Sequence, residues 1–166
     1  YAADTPLGWR LELPGPTGES NVLRYRARGR VLCLGAADPG DGAAAPAQAD
    51  LLPQLAACVA TGNRALWLEG QGNRQLAAAL PAPLRERIDW TGDWRGAQID
   101  VVLLSGSAAD GAPVRRVLAA RAGARIALLR PDQGRYELYR MVAEQVLTIN
   151  TAAAGGNATL MSLQPA

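Results

Sequence analysis

The side chains of this chain that could do chemistry are few, and their spacing limits what they could do. The best-formed pattern is LWLEGQGNRQLAAAL, where a strand runs into Gly70-x-Gly72 and then a helix, with Asp89 near the distance expected of a ribose-binding acid. That outlines a dinucleotide site, in which glycines let a pyrophosphate approach a helix N-terminus. The third glycine is missing: Gln75 stands there, and its bulk opposes close packing of helix on strand. Two turn glycines after a strand account for the motif as well.

Nucleophilic chemistry is poorly served. The chain has no His, so Ser105, Ser107 and Cys33 lack the usual base. The two serines read as loop hydroxyls capping the helix that follows. Glu137 and Glu144, seven residues apart, fit a solvated helix face better than an acid and base pair. Trp67, Trp90 and Trp94 could stack a base, but packing of connectors on the body explains them more simply. A zinc site would have to be built from scattered carboxylates. Cys33 (VLCLG) and Cys58 (LAACVA) lie in apolar runs, as buried thiols in a reducing cytoplasm do.

The elements that must position these residues come from periodicity. The 166 residues, 49% hydrophobic and 19% charged, suit one globular domain. Residues 1–21, with Pro6, Pro14 and Pro16, read as a linker or extended arm. NVLRYRARGRVLCLG reads as a β-ribbon entering a buried strand at Val31 to Leu34, and DPGDGAAAPA as a loop. A helix is predicted from Gln48 to Ala60, with Leu51, Leu52, Leu55 and Val59 on one face. Three strand–helix pairs follow: RALWLEG with NRQLAAAL, DVVLLSG with APVRRVLAARAG, and ARIALLRP with ELYRMVAEQ. Continuous Val, Leu and Ile strands alternating with amphipathic helices predict a Rossmann-like α/β domain over 22–147, a parallel sheet covered on both faces.

A net charge of +2, from 17 basic and 15 acidic residues, gives no footprint for nucleic acid. No apolar run reaches a membrane span and no cleavable signal is evident. The start at Tyr1 reads as an excised piece of a longer protein.

Residues 148–166 contain INTAAAGGNATLM, Ile149 to Met161, which carries no charge. Ala152, Ala153, Ala154, Gly155, Gly156 and Ala158 remove side-chain bulk, so a backbone could lie close to another surface. Asn150, Asn157, Thr151 and Thr159 offer polar groups, and Leu160 with Met161 could anchor the end in an apolar pocket. Composition fits a last strand within the domain's own sheet equally well.

Several phrases resemble known proteins. CVATGNRALWLEG and IDVVLLSGSAADG are similar to a helix–strand junction and a cofactor loop of aldehyde dehydrogenases, but Leu68 stands where those enzymes hold ribose with a lysine. LPGPTGESN, YRARGRVLCLG and INTAAAGGNATLM resemble the C-terminal region of long proline utilization A (PutA) proteins. Those are bifunctional flavoenzymes that oxidise proline to glutamate through a proline dehydrogenase and an L-glutamate gamma-semialdehyde dehydrogenase. The resemblance covers nearly the whole chain.

It implies a noncatalytic, aldehyde-dehydrogenase-like domain without a cofactor of its own, FAD and NAD being bound elsewhere in the parent. Pro16, Thr17, Gly18, Glu19 and Asn21, with the ribbon Leu23 to Arg30, match a β-flap that reaches the parent's aldehyde dehydrogenase module. Asn150 to Met161 match a lid over the substrate-channelling cavity. A homo-oligomer through the flap is the alternative partner. The resemblance implies a cytoplasmic protein, peripheral to the inner membrane at most.

Overall fold

The computed structural model describes residues 1–35 and 48–150. Five strands form a parallel sheet: β3 (Arg30–Leu34), β4 (Arg64–Leu68), β5 (Ile88–Thr91), β6 (Val101–Leu104) and β7 (Ala127–Leu129). Their spatial order is β5-β4-β3-β6-β7. The order reverses between β3 and β6, as in doubly wound folds.

Alternation within the strands builds two cores. Val31, Cys33, Ala65, Trp67, Val101 and Leu103 point to one face and pack with Leu51, Leu55 and Cys58 of α1 (Gln48–Ala60) and Ala77 of α2 (Gln71–Ala78). Leu32, Leu34, Leu66, Val102 and Leu104 point to the other, against Val114 of α4 (Gly111–Ala119) and the loop residues Trp94 and Ile99. Each large apolar side chain so buried contributes about 1.5–3 kcal/mol. A short helix α3 (Ala82–Arg85) joins α2 to β5.

Three other strands make a separate antiparallel sheet, ordered β1-β2-β8: β1 (Arg10–Leu13), β2 (Glu19–Ala27) and β8 (Val142–Asn150). One expectation is corrected here. ELYRMVAEQ is not a helix: Leu138–Met141 is one 3-10 turn, and the chain then runs extended through β8. Leu138, Met141 and Val142 imitate a helical stripe, yet all nine residues of β8 pair with β2, from Ala27↔Val142 to Glu19↔Asn150. Glu144 therefore lies on a strand, and the boundary between 147 and 148 falls inside that strand.

Residues 1–21, read as a linker or extended arm, are tied to the body. They contain β1, and Thr5 Oγ1 donates to Ala60 O (2.6 Å) while Tyr1 OH accepts from the Tyr136 amide (2.9 Å). The buried stripe of α1 is also shifted from expectation. Leu51, Gln54, Leu55 and Cys58 face inward, whereas Leu52 and Val59 are exposed. IDWTGDWRG, read as a connector, holds β5. Packing does explain its tryptophans: Trp90 meets buried Trp67 edge to face at 5.9 Å, and Trp94 is in the core.

Candidate interaction surface

The residues matched to a flap by sequence form the closed end of the β1–β2 hairpin. Glu19 N–H donates to Pro16 C=O (3.1 Å), and Gly18 between them takes φ 86°, the left-handed conformation such a turn needs at little cost only from glycine. The Asn21 side chain then ties β2 to β8. Its Nδ2 donates to Glu19 Oε1 (2.8 Å), and its Oδ1 accepts from Thr148 Oγ1 on β8 (2.6 Å). Thus Pro16, Gly18, Glu19 and Asn21 are brought together, with Thr17 in the same turn.

Register sorts this sheet into two unlike faces, because residues directly opposite share a side. One face carries the apolar row Leu11↔Leu23↔Val146, with Leu13, Tyr25 and Ala27 along it. Leu11 is 57% exposed and Val146 52% exposed. Tyr139 extends the patch, packing edge-on against both Trp9 (6.0 Å) and Tyr25 (5.9 Å). The opposite face carries Arg10, Arg24 and Arg26, with Val22, Leu147 and Ile149. A contiguous exposed apolar patch on a sheet is a mark of an interaction site.

The neck of this sheet is pinned to the body by one buried amide. Helix α1 ends in a Schellman turn: Asn63 N–H reaches Cys58 O (2.8 Å), Gly62 N–H reaches Val59 O (3.1 Å), and Gly62 sits at φ 69°. This turn delivers Asn63 between the two chain segments that lead into the sheet. Its Oδ1 accepts from Gly29 N–H (2.8 Å), just after β2, and its Nδ2 donates to Met141 O (2.8 Å), just before β8, and to Thr61 Oγ1 (2.7 Å). Arg28 Nε donates to Val142 O (2.9 Å) beside it, and Asp100 Oδ2 accepts from Arg30 N–H (2.8 Å). Sequence reasoning saw only a Gly-Asn turn here; the positioning role depends on contacts 34 and 78 residues away.

The dinucleotide outline is not brought together. Gly70 precedes α2 and Gly72 lies within it, at the carboxyl end of β4. Asp89 points the other way. Its carboxylate takes Arg64 Nη2 at 2.6 Å and Arg30 Nε at 3.1 Å, from the first residues of β4 and β3. The hydrogen bond from Arg64, with the positive charge of both arginines, holds its carboxyl below the ordinary value. Stability from this group is therefore present above the unfolded carboxylate pKa, about 3.9, and is lost as pH falls through the lower folded value. Asp89→Asn is expected to cost about 0.5–1 kcal/mol near neutral pH, since both arginines are half exposed, and less at pH 2; urea unfolding at both pH values checks it.

At the switch point itself Gln54 and Tyr136, which sequence reasoning passed over, meet Ser105. Gln54 Nε2 lies 2.9 Å from Leu34 O and 2.9 Å from Ser105 Oγ, at the carboxyl ends of β3 and β6, and 3.0 Å from Tyr136 OH, in the segment after β7. Ser105 Oγ and Tyr136 OH are 3.2 Å apart. Burial raises the Tyr136 phenol above its usual pKa, against the opposing hydrogen bonds from Ser105 and Gln54. Ser105 therefore joins a buried network and does not cap α4. Ser107 exchanges contacts with Asp110 at the start of that helix, its N–H 2.6 Å from Asp110 Oδ2. Glu137 faces Arg140 at 4.0 Å on an exposed turn, and Glu144 is on an exposed part of β8, so the two make no paired site. Among the described residues no group of three His, Cys, Asp or Glu is arranged to hold a metal ion.

Asn150 is the last residue of β8, opposite Glu19. Thr151 to Met161, the rest of the predicted lid, lie outside the described residues.

No family model matches the chain. It is 39% identical over 167 residues to the Bifunctional protein PutA of Salmonella typhimurium, an alignment covering 98% of this chain and 12% of that protein. The chain thus spans about an eighth of that relative's length. Its fold resembles that of Bradyrhizobium japonicum proline utilization A, in a mutant crystal structure, at TM-score 0.57, 26% identity and 75% of this chain, but 14% of that one. A lactaldehyde dehydrogenase shares the fold alone, at TM-score 0.50 and 16% identity over 74% of this chain and 27% of that one. The chain therefore belongs to the proline utilization A (PutA) family, as one segment of those longer bifunctional proteins.

Proposed function

We propose that this segment is a noncatalytic module of a bifunctional proline-catabolic enzyme, which converts proline to glutamate with FAD and NAD bound in other modules. It contacts the aldehyde dehydrogenase module of the same chain and helps to close the cavity through which the semialdehyde intermediate passes. The observation that carries the reading is the apolar face of the β1-β2-β8 sheet, on which Trp9, Leu11, Val146 and Tyr139 are each about half exposed. That surface fits a fixed partner within a longer chain.

Strand β8 of the same sheet ends at Asn150, and the low-bulk stretch Thr151 to Met161 follows it in sequence. Small residues there suit a segment lying close on a neighbour, and sequestering a reactive aldehyde from solvent is the benefit. Deleting Asn150 to Met161 from the full-length enzyme is expected to leave proline oxidation intact and to slow coupled formation of glutamate. Unchanged coupled kinetics with normal assembly would sink the lid.

A nucleotide-binding role for Gly70 and Gly72 is disfavoured by the orientation of Asp89 and by the Gln54, Ser105 and Tyr136 network at the switch point. Titrating the 166-residue chain with NAD in a calorimeter is expected to give no heat of binding. Micromolar NAD binding would restore that role.

A further inference from the structure

All 17 basic residues of this chain are arginine, and they are not spread evenly over its surface. Two adjoining grooves, of about 390 and 970 Å³, share Arg28, Arg121 and Arg125; Arg26 lines the first, Arg115 and Arg140 the second. Asp100 is the one carboxylate among their lining residues, and it already accepts from the Arg30 amide. Among the described residues, Arg26, Arg115 and Arg125 have no carboxylate within ion-pair distance. Arg140 has only the distant Glu137. Arg28 and Arg121 are held by backbone carbonyls, Arg121 by those of Trp94, Arg95 and Ala97, which fixes their charges in place.

The stripe continues onto the sheet. Arg26 shares a face with Arg24, about 7 Å along β2, and Arg24 is directly opposite Arg10 on β1. Like charges directly opposite are unfavourable. The Nε of Arg24 is also buried without a hydrogen-bond partner, which costs about 1–3 kcal/mol while it stays unmet. Preorganised guanidinium groups, a like-charge pair and an unmet donor along one track call for an anion with several acceptor oxygens.

We propose that this track is a docking site for an acidic polypeptide segment, one carrying several Asp or Glu residues interspersed with apolar ones. The groove wall decides between anions. Leu118, Ile126 and Leu128 line the same groove as the arginines, and the small Ala119, Ala124 and Ala127 in its wall suit the approach of a main chain. A phosphodiester backbone would leave that apolar wall uncovered. The aromatic ring present, Tyr139, is already engaged edge-on by Trp9 and Tyr25, so no base-stacking platform is offered. The overall charge of +2 likewise does not suit a polyanion of unlimited length. On the sheet, Arg10, Arg24 and Arg26 lie on the opposite face from the apolar row, Tyr139 bordering both surfaces, and the proposal does not depend on the function proposed for the patch.

The test uses the full-length protein with a benzophenone amino acid at Ala122, an exposed lining residue whose replacement removes no arginine. After irradiation, the expected adduct is a peptide, from the same or a second full-length chain, rich in Asp and Glu. Its yield should fall at least about fivefold in Arg115→Glu/Arg125→Glu and in about 0.5 M salt, where charges screen within a few ångströms. Arg125→Gln should give a smaller loss, and Arg74→Glu, outside the groove, none. The proposal is overturned by no adduct, by an adduct to a neutral or basic peptide, or by an equal loss in Arg74→Glu. An adduct sensitive to nuclease, or one to lipid, overturns it in favour of those partners.

Discussion

Asn63→Leu is expected to destabilise the chain by about 3–5 kcal/mol, measured as a shift in the urea unfolding midpoint. The residue is fully buried and its amide serves three partners: Gly29 N–H, Met141 C=O and Thr61 Oγ1. Each buried polar group left unpaired costs about 1–3 kcal/mol, and an isosteric apolar side chain can satisfy none of them. The loss should also be local before it is global. Amide exchange at Gly29 and along β8 should accelerate more than exchange in β3 and β6, because Asn63 joins two separate sheets while the parallel core is held by its own packing. Thr61→Val is the matched comparison, since it keeps the contacts to Gly29 and Met141; it should cost about 1 kcal/mol. A change below about 1 kcal/mol in Asn63→Leu would mean that the Arg28–Val142 and Arg30–Asp100 contacts hold the neck alone.

The second large effect concerns binding and not folding. Leu11→Glu/Val146→Glu places two charges on the apolar row at positions more than half exposed, so the stability of the 166-residue chain should change by less than about 0.5 kcal/mol. If the row docks on the aldehyde dehydrogenase module, each position loses about 1.5–3 kcal/mol of apolar burial and gains a desolvated charge. Association of this chain with the separately produced remainder of the enzyme should weaken at least about 100-fold. The same charges on exposed positions of the basic face, such as Ile149→Glu, should have a much smaller effect on that contact.

Much of the parallel core was legible in the sequence. Unbroken runs such as VLCL and VVLL mark strands buried on both faces, and a helix at Gln48 to Ala60 followed from its apolar spacing and length. The second sheet was less legible because its pairing is long-range. β2 finds β8 more than a hundred residues later, and a Leu138, Met141, Val142 stripe reads locally as a helix. Four-residue β5 was masked by its shortness and by Gly92 and Gly96 just after it.

The site follows the same division. Pro16 and Gly18 mark a break, but residues 1–21 read only as a linker or extended arm; the hairpin closed by Glu19 N–H on Pro16 C=O rests on the pairing of β1 with β2. Which face of the sheet is apolar could not be read without the register, since Leu11, Leu23 and Val146 belong to three strands. Gln54 and Asn63 left only a faint signal: a polar amide within an apolar helix stripe, and an amide following a helix-ending glycine. Both take their roles from backbone groups far along the chain.

The most direct test of a docked, channel-closing module is coupled turnover in the full-length enzyme carrying Leu11→Glu/Val146→Glu. The account predicts an unchanged rate of proline oxidation, a lag before glutamate formation, and semialdehyde that a trapping reagent in solution can intercept. Coupled turnover without a lag, with no semialdehyde trapped and the variant fully folded, would contradict it.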